Sequence, residues 1–227
     1  MDLVDAITSR RSIRAFKPEP VPRRIVRELL VTAVRAPSGV NSQPWEFYLV
    51  SGNALDELRE ACTEKYRLGI EPKPDITIPS IGNVGPRLRG IYRDRSVRLA
   101  KQIFEAVGIL KGDDERLREY YENMYHFFGA PAVLIIVHDK LLSGGWPLVD
   151  SGIMAQTIAL MAQQYGLGTC IMRAIVDYPD TLREIVKIPD SKFIVIGMAI
   201  GKPDWDHPIN NILSEREALE NILTFVD

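Results

Sequence analysis

The sequence predicts an α/β or α+β fold in which helices cover a central sheet. Two continuous apolar runs with many β-branched residues, 132–138 and 192–201, predict strands that are buried on both faces. Around them lie segments with helical spacing of apolar residues, of which 21–36 is the clearest and 147–165 the most apolar. A chain of 227 residues can bury one large core, and we expect a single domain over 1–227.

The remaining elements follow along the chain. The stretch 71–86 is rich in proline and glycine, which breaks regular structure and is typical of a functional loop such as a lid. The tail from 202 to 227 has only weak helical character, at 214–222, and we expect it to pack on its own body or on a partner subunit. Helices are also predicted at 2–9, 53–66, 87–108, 114–127 and 179–187, and strands at 45–51 and 168–172.

Composition excludes several classes of protein. Lys plus Arg is 28 and Asp plus Glu is 30, giving a net charge of −2, whereas nucleic-acid binders usually carry a basic excess. Two cysteines, Cys62 and Cys170, are too few for a disulfide framework or a thiolate zinc site, and we interpret them as buried thiols in a reducing compartment. The longest mostly apolar stretch, 152–161, is too short to cross a bilayer. We therefore expect a soluble, cytoplasmic protein without a membrane or nucleic-acid partner.

Several catalytic signatures are missing from the sequence. It contains no G-x-x-x-x-G-K-[ST] loop, no G-x-G-x-x-G after a strand and no G-x-S-x-G elbow. The three histidines, His126, His138 and His207, have no metal-ligand spacing, so no metal site is predicted. These absences argue against P-loop, Rossmann, hydrolase and metalloenzyme functions.

The segment RRSIRAF, residues 10–16, has an unusual alternation. In an extended chain Arg10, Ser12 and Arg14 would share one side, because successive side chains point to opposite faces. One interpretation is a solvated, charged junction after the first helix. The other is a receptor for a phosphate monoester, because the planar guanidinium group matches phosphate oxygens. These residues alone leave both open.

Other polar residues lie at the ends of predicted elements. SGVNSQPW, 38–45, is either an ordinary turn or a loop that presents backbone N–H groups. Asn123 and His126 lie one helical turn apart, and they form either a helix-end pair or two hydrogen bonds to the edge of a ring. Arg216 is isolated in the tail and by default is solvated.

Together these pieces resemble the FMN-dependent nitroreductase family. The resemblance covers most of the chain, through RRSIRAF, APSGVNSQPWEF at 36–47, FFGAPAVLIIV at 127–137, YGLGTC at 165–170 and IVIGMAIGKPD followed by SER at 214–216. It looks closest to the branch that includes 4-nitrobenzoate reductases. The resemblance implies an α+β nitroreductase-like fold with a central mixed sheet flanked by helices. It also implies a homodimer with FMN at the interface and a C-terminal tail that wraps the partner.

The resemblance also implies which residues bind FMN. The segment that matches 10–14 holds the FMN phosphate, so Arg10, Ser12 and Arg14 inherit that role with Arg11 alongside, and Arg216 matches a tail arginine that reaches the same phosphate. The residues expected to contact the flavin of the other subunit are Pro37, Ser38, Gly39 and Asn41. The helix at 147–165 would form much of a hydrophobic dimer interface.

Further positions match those around the isoalloxazine ring. Asn123 matches the residue that hydrogen-bonds its pyrimidine edge, and His126 falls where the family often has a lysine near N1 and the C2 carbonyl. The strand end at Ile171, Met172, Arg173 and Ala174 matches the segment whose backbone N–H faces flavin N5. The family often has a glutamate near this point, and Arg173 would reverse that charge and favour anionic substrates or support the reduced flavin.

The implied activity is an NAD(P)H-dependent reduction of nitroaromatic or quinone acceptors. Because no separate dinucleotide motif is present, the nicotinamide and the acceptor are expected to use one pocket in turn, with ping-pong kinetics. The segment 66–128 is expected to form a lid or insert over the pocket, and candidates for specificity are Tyr66, Tyr92, Arg93, Phe128 and Trp146. The alternatives are other flavin chemistry on the same fold, such as ene reduction or reductive dehalogenation, and a non-catalytic FMN-binding module.

Overall fold

A computed structural model of the chain describes residues 2–76, 88–142 and 144–226. Each predicted helix and strand before the tail is found within about two to four residues of its expected bounds. The helices are α1 (Leu3–Ser9), α2 (Arg23–Ala33), α3 (Asn53–Arg67), α4 (Ile91–Ala106), α5 (Asp114–Tyr125), α6 (Trp146–Gln164) and α7 (Pro179–Val186). The strands are β1 (Glu46–Ser51), β2 (Ala132–Asp139), β3 (Gly168–Met172) and β4 (Lys192–Gly201).

The four strands form one sheet in the order β1-β2-β4-β3, and every neighbouring pair is antiparallel. The expected mixed sheet is thus antiparallel in these strands, and the one parallel pairing in the described ranges is a single bridge between Ser12 and Thr169. The reason is topological: β2 and β3 run in the same direction, but β4 lies between them and pairs with both. Ser12 then joins the free edge of β3.

Strand β2 is buried on both faces, as its apolar run predicts. On one face Ile135 packs in a cluster with Leu58 of α3, and on the other Leu134 packs with Leu29 of α2 and Ile158 of α6. Each fully buried aliphatic side chain contributes about 1.5–3 kcal/mol relative to an exposed one. Helices α2 and α6 therefore cover one face of the sheet, and α3 and α7 cover the other.

Residues 10–16, which we call the arginine segment, run beside β3. The Ile13 amide donates to the Thr169 carbonyl at 3.0 Å, and the Ile13 side chain is only 2% exposed. Gly168 permits this approach, because a Cβ atom built there would lie 2.4 Å from Cγ1 of Ile13. The segment is therefore extended and fixed to the sheet edge.

The tail differs from its expected helical character. Within 214–222 the only helical turn in the described residues is a 3₁₀ turn at Leu219–Asn221. Glu217 pairs with Arg95 of α4, which ties this part of the tail to its own body. Farther on, Phe225 is 81% exposed and Val226 92% exposed, so the end of the tail leaves its apolar side chains uncovered.

The expected lid region contains helices α4 and α5 and the end of α3. Residues 77–86 of the proline-rich stretch lie outside the described residues. Lys73, just before them, donates its amide to the Asp177 carbonyl at 3.0 Å. Asp75 accepts a forked ion pair from Arg183, whose closest contact is 2.5 Å, and a bond from the Ile194 amide at 2.9 Å. The chain that enters the stretch is thus anchored to the sheet.

Helix α6 packs one side against the sheet, where Met154 and Ile158 are fully buried. Its other side remains exposed at Trp146, Val149 and Ile153. Within the ranges that the structure describes, we find no helix with both the length and the apolarity to span a bilayer.

Candidate functional site

The arginine segment brings its alternate side chains to one place. Arg10, Ser12 and Arg14 are half-buried and lie near the Cys170 thiol of β3. Burial raises the pKa of that thiol, and Arg14, Ser12 and Arg10 oppose the rise. One guanidinium N–H of Arg14 points to the Ser12 carbonyl at 3.4 Å. The extended backbone therefore groups the three residues as their spacing predicts.

Arg216 approaches this group from the tail. Burial, together with the neighbouring charge of Arg216, lowers the pKa of Arg10. Arg216 itself donates to the backbone and hydroxyl of Ser214 at 2.8–2.9 Å. Across the described ranges, no carboxylate forms an ion pair with Arg10, Arg14 or Arg216. The three guanidinium groups thus form a cationic cluster that has no counter-ion in the part of the chain that the structure describes, and we call it the arginine cluster.

Arg11 does not join the arginine cluster. Its Nε donates to the Ser9 carbonyl at 3.2 Å, and its guanidinium lies over the ring of Trp205, 5.7 Å from the centroid. The expected position alongside Arg10 is therefore not adopted. The cause is the twofold alternation of an extended chain, which directs residue 11 away from residues 10 and 12.

Asn210 holds the arginine segment in place, and sequence reasoning missed it. Its side-chain oxygen accepts from the amides of Arg14 at 2.8 Å and Ala15 at 3.3 Å. Its amide group donates to the carbonyls of Ala15 at 2.7 Å and Asp204 at 2.8 Å. The side chain is fully buried, so each of these bonds matters. An asparagine in an irregular tail carries no local pattern that would reveal this contact.

The loop at 38–42 is shaped by a buried acid. The Gly39 amide donates to both carboxylate oxygens of Asp150, at 3.1 and 3.3 Å. Val40 (φ 48°) and Asn41 (φ 58°) adopt left-handed backbone that is rare for a β-branched residue. Pro37, Gly39 and Asn41 are exposed and Ser38 is half-buried. The loop is therefore held in shape but open on its outer side. Asp150 is the one charged residue of α6, and this isolated charge was the signal in the sequence for the contact.

Asn123 and His126 are both exposed at the end of α5. Burial, with the positive charges of Arg59 and Arg67, lowers the pKa of His126, and Glu122 opposes the shift. The lowered pKa favours the neutral imidazole, which can donate a hydrogen bond, over the imidazolium cation. Immediately afterwards Phe127 (φ 54°) and Phe128 (φ 55°) form a left-handed turn of buried residues. Such strain in bulky residues is typical of a functional site.

The end of β3 alternates buried and accessible side chains. Met172 and Ala174 are buried, and Ile171 is 42% exposed. Arg173 is half-buried, and its Nε donates to Asp177 at 2.9 Å. The charge of Arg173 is therefore balanced by an acid four residues later, which sequence reasoning did not consider.

The candidates for specificity lie in different surroundings. Phe128 is only 5% exposed, because the left-handed turn directs it into the core beside Tyr120, so it does not face an open pocket. Tyr66 stacks on Tyr125 with centroids 5.0 Å apart. Trp146 is 74% exposed and borders a cavity of about 520 Å³ that the 38–42 loop also lines. Tyr92 and Arg93 are exposed on α4.

Neither cysteine is suited to act as a nucleophile. Burial raises the pKa of Cys62 to about 12 and also raises the pKa of Cys170. The reactive thiolate form is thus disfavoured at neutral pH. What these residues offer is an anion receptor, a strand end and a rigid loop, which suits a site whose chemistry comes from a bound cofactor.

The chain is similar to known proteins over most of its length. The model of the Nitroreductase family matches residues 7–202 of the chain. A 4-nitrobenzoate reductase of Nocardioides sp. (strain LMS-CY) is 32% identical over 238 residues, which cover 100% of this chain and 91% of that protein. A nitrobenzene nitroreductase of Ectopseudomonas oleovorans is 32% identical over 223 residues, which cover 98% of this chain and 96% of that protein.

A solved structure shares the whole fold. The FMN- and NADPH-dependent nitroreductase NfnB from sphigopyxis sp. strain HMH superposes with a TM-score of 0.92 at 26% identity. The match covers 100% of both chains. The FMN-dependent nitroreductase NfnB from Mycobacterium smegmatis, crystallised in complex with NADPH, gives a TM-score of 0.89 at 26% identity, covering 99% of this chain and 97% of that one.

Proposed function

Because the chain belongs to the nitroreductase family, we propose that it is an FMN-dependent oxidoreductase that uses NADH or NADPH to reduce nitroaromatic compounds, as a cytoplasmic homodimer. Its relatives include reductases of 4-nitrobenzoate and of nitrobenzene, and a structural neighbour holds NADPH. Quinones are a second acceptor class for the same pocket.

The observation that carries this proposal is the arginine cluster. Arg10, Ser12 and Arg14 surround the Cys170 thiol, and Arg216 lies close enough to Arg10 to lower its pKa. Among the described residues no acid forms an ion pair with these three arginines. A phosphate monoester dianion would supply the missing charge and accept charge-assisted hydrogen bonds. The residues present therefore fit the phosphate of FMN.

The rest of the cofactor would be held by groups of different character. Asn123 and His126 have hydrogen-bonding groups for the polar edge of a flavin ring. The backbone N–H groups at Arg173 and Ala174 would lie toward its reactive side. Residues 37–41 of the partner subunit would complete the site, since their outer side is open in one chain.

Exposed apolar surface favours the homodimer. Trp146, Val149 and Ile153 lie uncovered along α6, and Phe225 and Val226 lie uncovered in the tail. A monomeric protein seldom exposes apolar residues in such contiguous sets. We propose that a second copy covers α6 and receives the tail, so the purified protein should sediment at about twice the mass of one chain. A species with the mass of a single chain would contradict this assembly.

FMN, when bound, supplies hydride acceptance from NAD(P)H and electron delivery to the acceptor. The protein contributes position and electrostatic field, and no side chain need act as a nucleophile. Since the sequence has no separate dinucleotide motif, nicotinamide and acceptor would occupy the same pocket in turn. Double-reciprocal plots of initial rate against NAD(P)H concentration, at several fixed acceptor concentrations, should accordingly give the parallel lines of a ping-pong mechanism. Intersecting lines would contradict shared occupancy.

The test of the proposal is Arg14→Ala, with Arg24→Ala as the matched control. Arg24 lies on the surface of α2, where its side chain is 75% exposed and pairs with Glu28. Losing one charge-assisted hydrogen bond costs about 1.5–3 kcal/mol, so FMN should bind about tenfold to a hundredfold more weakly to Arg14→Ala.

Flavin fluorescence measures this affinity on protein from which FMN has been removed. The control variant should bind FMN like the wild type. If Arg14→Ala also keeps wild-type affinity, the phosphate does not bind at the arginine cluster. An anaerobic panel of nitroaromatics, activated alkenes and haloaromatics then separates nitro reduction from the other flavin reactions of the fold.

A further inference from the structure

A buried carboxylate lies directly behind the end of β3. The side chain of Asp177 is only 4% exposed, and its Oδ1 accepts from Nε of Arg173 at 2.9 Å. Its Oδ2 accepts from the hydroxyl of Tyr125 at 3.1 Å. The backbone carbonyl of Asp177 accepts from the Lys73 amide at 3.0 Å. One residue thus joins β3, the end of α5 and the chain that follows α3.

We propose that Asp177 is a specificity-determining residue, which cancels the charge of Arg173 and so lets the pocket accept neutral nitroaromatics as well as carboxylate-bearing ones. This inference rests on the function proposed above, because Arg173 then lies beside the acceptor. It concerns only which acceptors are preferred.

The geometry of the pair supports this role. Arg173 is 40% exposed, so its guanidinium can influence a ligand, whereas Asp177 is inaccessible and can act only through its partners. Without Asp177, Arg173 would present a full positive charge to the pocket and would favour anionic ligands. With Asp177 the pair is neutral. The ammonium group of Lys65, a neighbouring cation, lies over the ring of Tyr178, with Nζ 5.4 Å from the ring centroid.

Tyr125 makes the arrangement rigid. Its ring stacks on Tyr66 at 5.0 Å and lies 5.8 Å from that of Tyr178, whose hydroxyl donates to the Ile70 carbonyl at 3.0 Å. Tyr125 therefore holds one carboxylate oxygen while Arg173 binds the other. The carboxylate cannot rotate away from the guanidinium without losing the Tyr125 bond. A fixed counter-ion gives a constant cancellation of charge, which a solvated acid would not.

The experiment compares two ligands of nearly equal shape, benzoate and benzamide. Their dissociation constants are measured on the oxidised, FMN-loaded protein from the change in flavin absorbance. Asp177→Asn keeps the shape of the side chain, and we expect it to tighten benzoate about tenfold relative to benzamide. The control Asp180→Asn removes the same charge from an exposed position in α7 and should leave the ratio unchanged.

A second variant guards against damage to the fold. Arg173→Gln should weaken benzoate about tenfold relative to benzamide, because it leaves the buried carboxylate uncompensated. The double variant Arg173→Gln with Asp177→Asn should return the ratio to the wild-type value. A merely structural role for Asp177 would change both ligands equally.

A further measurement does not depend on the flavin. The unfolding equilibrium constants of wild type, Asp177→Asn, Arg173→Gln and the double variant form a double-variant cycle. It should give a coupling of about tenfold between Arg173 and Asp177. An unchanged benzoate-to-benzamide ratio in Asp177→Asn protein that still binds FMN and is bleached by NADPH would overturn this inference alone. A wild-type protein that refuses FMN would overturn the proposed function, and the inference with it.

Discussion

Gly168→Ala tests how the arginine segment is attached to the sheet. The added Cβ would lie 2.4 Å from Cγ1 of Ile13 and 2.8 Å from Cγ of Pro203. Carbon atoms in contact normally lie about 3.5–4.0 Å apart, so the neighbours must move by about 1 Å. Ile13 is buried and its amide is bonded to the carbonyl of Thr169, the residue after Gly168. The segment cannot move without disturbing that bond and the flanking Ser12 and Arg14.

Two magnitudes follow from this displacement. Overpacking of a well-packed core costs about 1–3 kcal/mol, which should appear as a lower free energy of unfolding in urea. Loss of one charge-assisted hydrogen bond from the shifted segment costs about 1.5–3 kcal/mol, so FMN should bind about tenfold to a hundredfold more weakly. Both are measured on FMN-free protein, the first by circular dichroism and the second by flavin fluorescence.

Arg24→Ala is the control, because the Arg24 side chain is 75% exposed on the surface of α2. It should leave FMN affinity unchanged and lower the unfolding free energy far less than Gly168→Ala does. Adding Ile13→Ala to Gly168→Ala removes the clashing Cγ1, so the double variant should lose less stability than the sum of the single variants. Wild-type stability and FMN affinity in Gly168→Ala would refute the reasoning, as would strict additivity.

Two other predictions concern the loop at 38–42 and the end of α5. Asp150→Ala removes the carboxylate that accepts from the Gly39 amide, and it should lower the unfolding free energy by about 1–3 kcal/mol in urea titrations; an unchanged value would mean that the loop holds its shape without this contact. For His126 the folded-state pKa is lowered from its ordinary value of 6.5, so the unfolded chain binds the proton more readily. Stability should therefore fall as the pH drops through and below about 6.5, and this fall should be smaller in His126→Gln when melting temperatures at pH 7.5 and 5.5 are compared; equal falls would indicate that other groups cause it.

Local pattern was sufficient to predict most of the elements. The apolar run at 132–138 predicted a strand buried on both faces, because a short run rich in β-branched residues is typical of a central strand. The alternation at 10–14 predicted which side chains share a face, because it depends only on the extended backbone. Arg11, which the family resemblance grouped with its neighbours, obeys the alternation instead.

Contacts between distant residues could not be predicted in this way. Asn210 and the arginine segment are separated by almost the whole chain, and the four bonds of the Asn210 side chain depend on where the tail returns to the sheet. The pairing of Arg173 with Asp177 is local, but its importance depends on burial, which a single sequence does not give for an irregular segment. For the same reason Phe128 was expected to face the pocket, whereas its left-handed backbone turns it into the core.

The arginine cluster is held together by neutral contacts, and this affects how strongly it would bind an anion. Like charges could be held together by acids, but those acids would compete with a phosphate for the same guanidinium groups. Here the neutral contacts of Asn210, the hydrogen bond from the Ile13 amide to the Thr169 carbonyl and the close approach at Gly168 fix the segment instead. The repulsion between Arg10 and Arg216 therefore persists in the folded chain and is relieved only when an anion arrives. That relief makes the free energy of anion binding more favourable. The neutral contacts that keep the arginines together at a cost in repulsion therefore also make the cluster selective for a dianion.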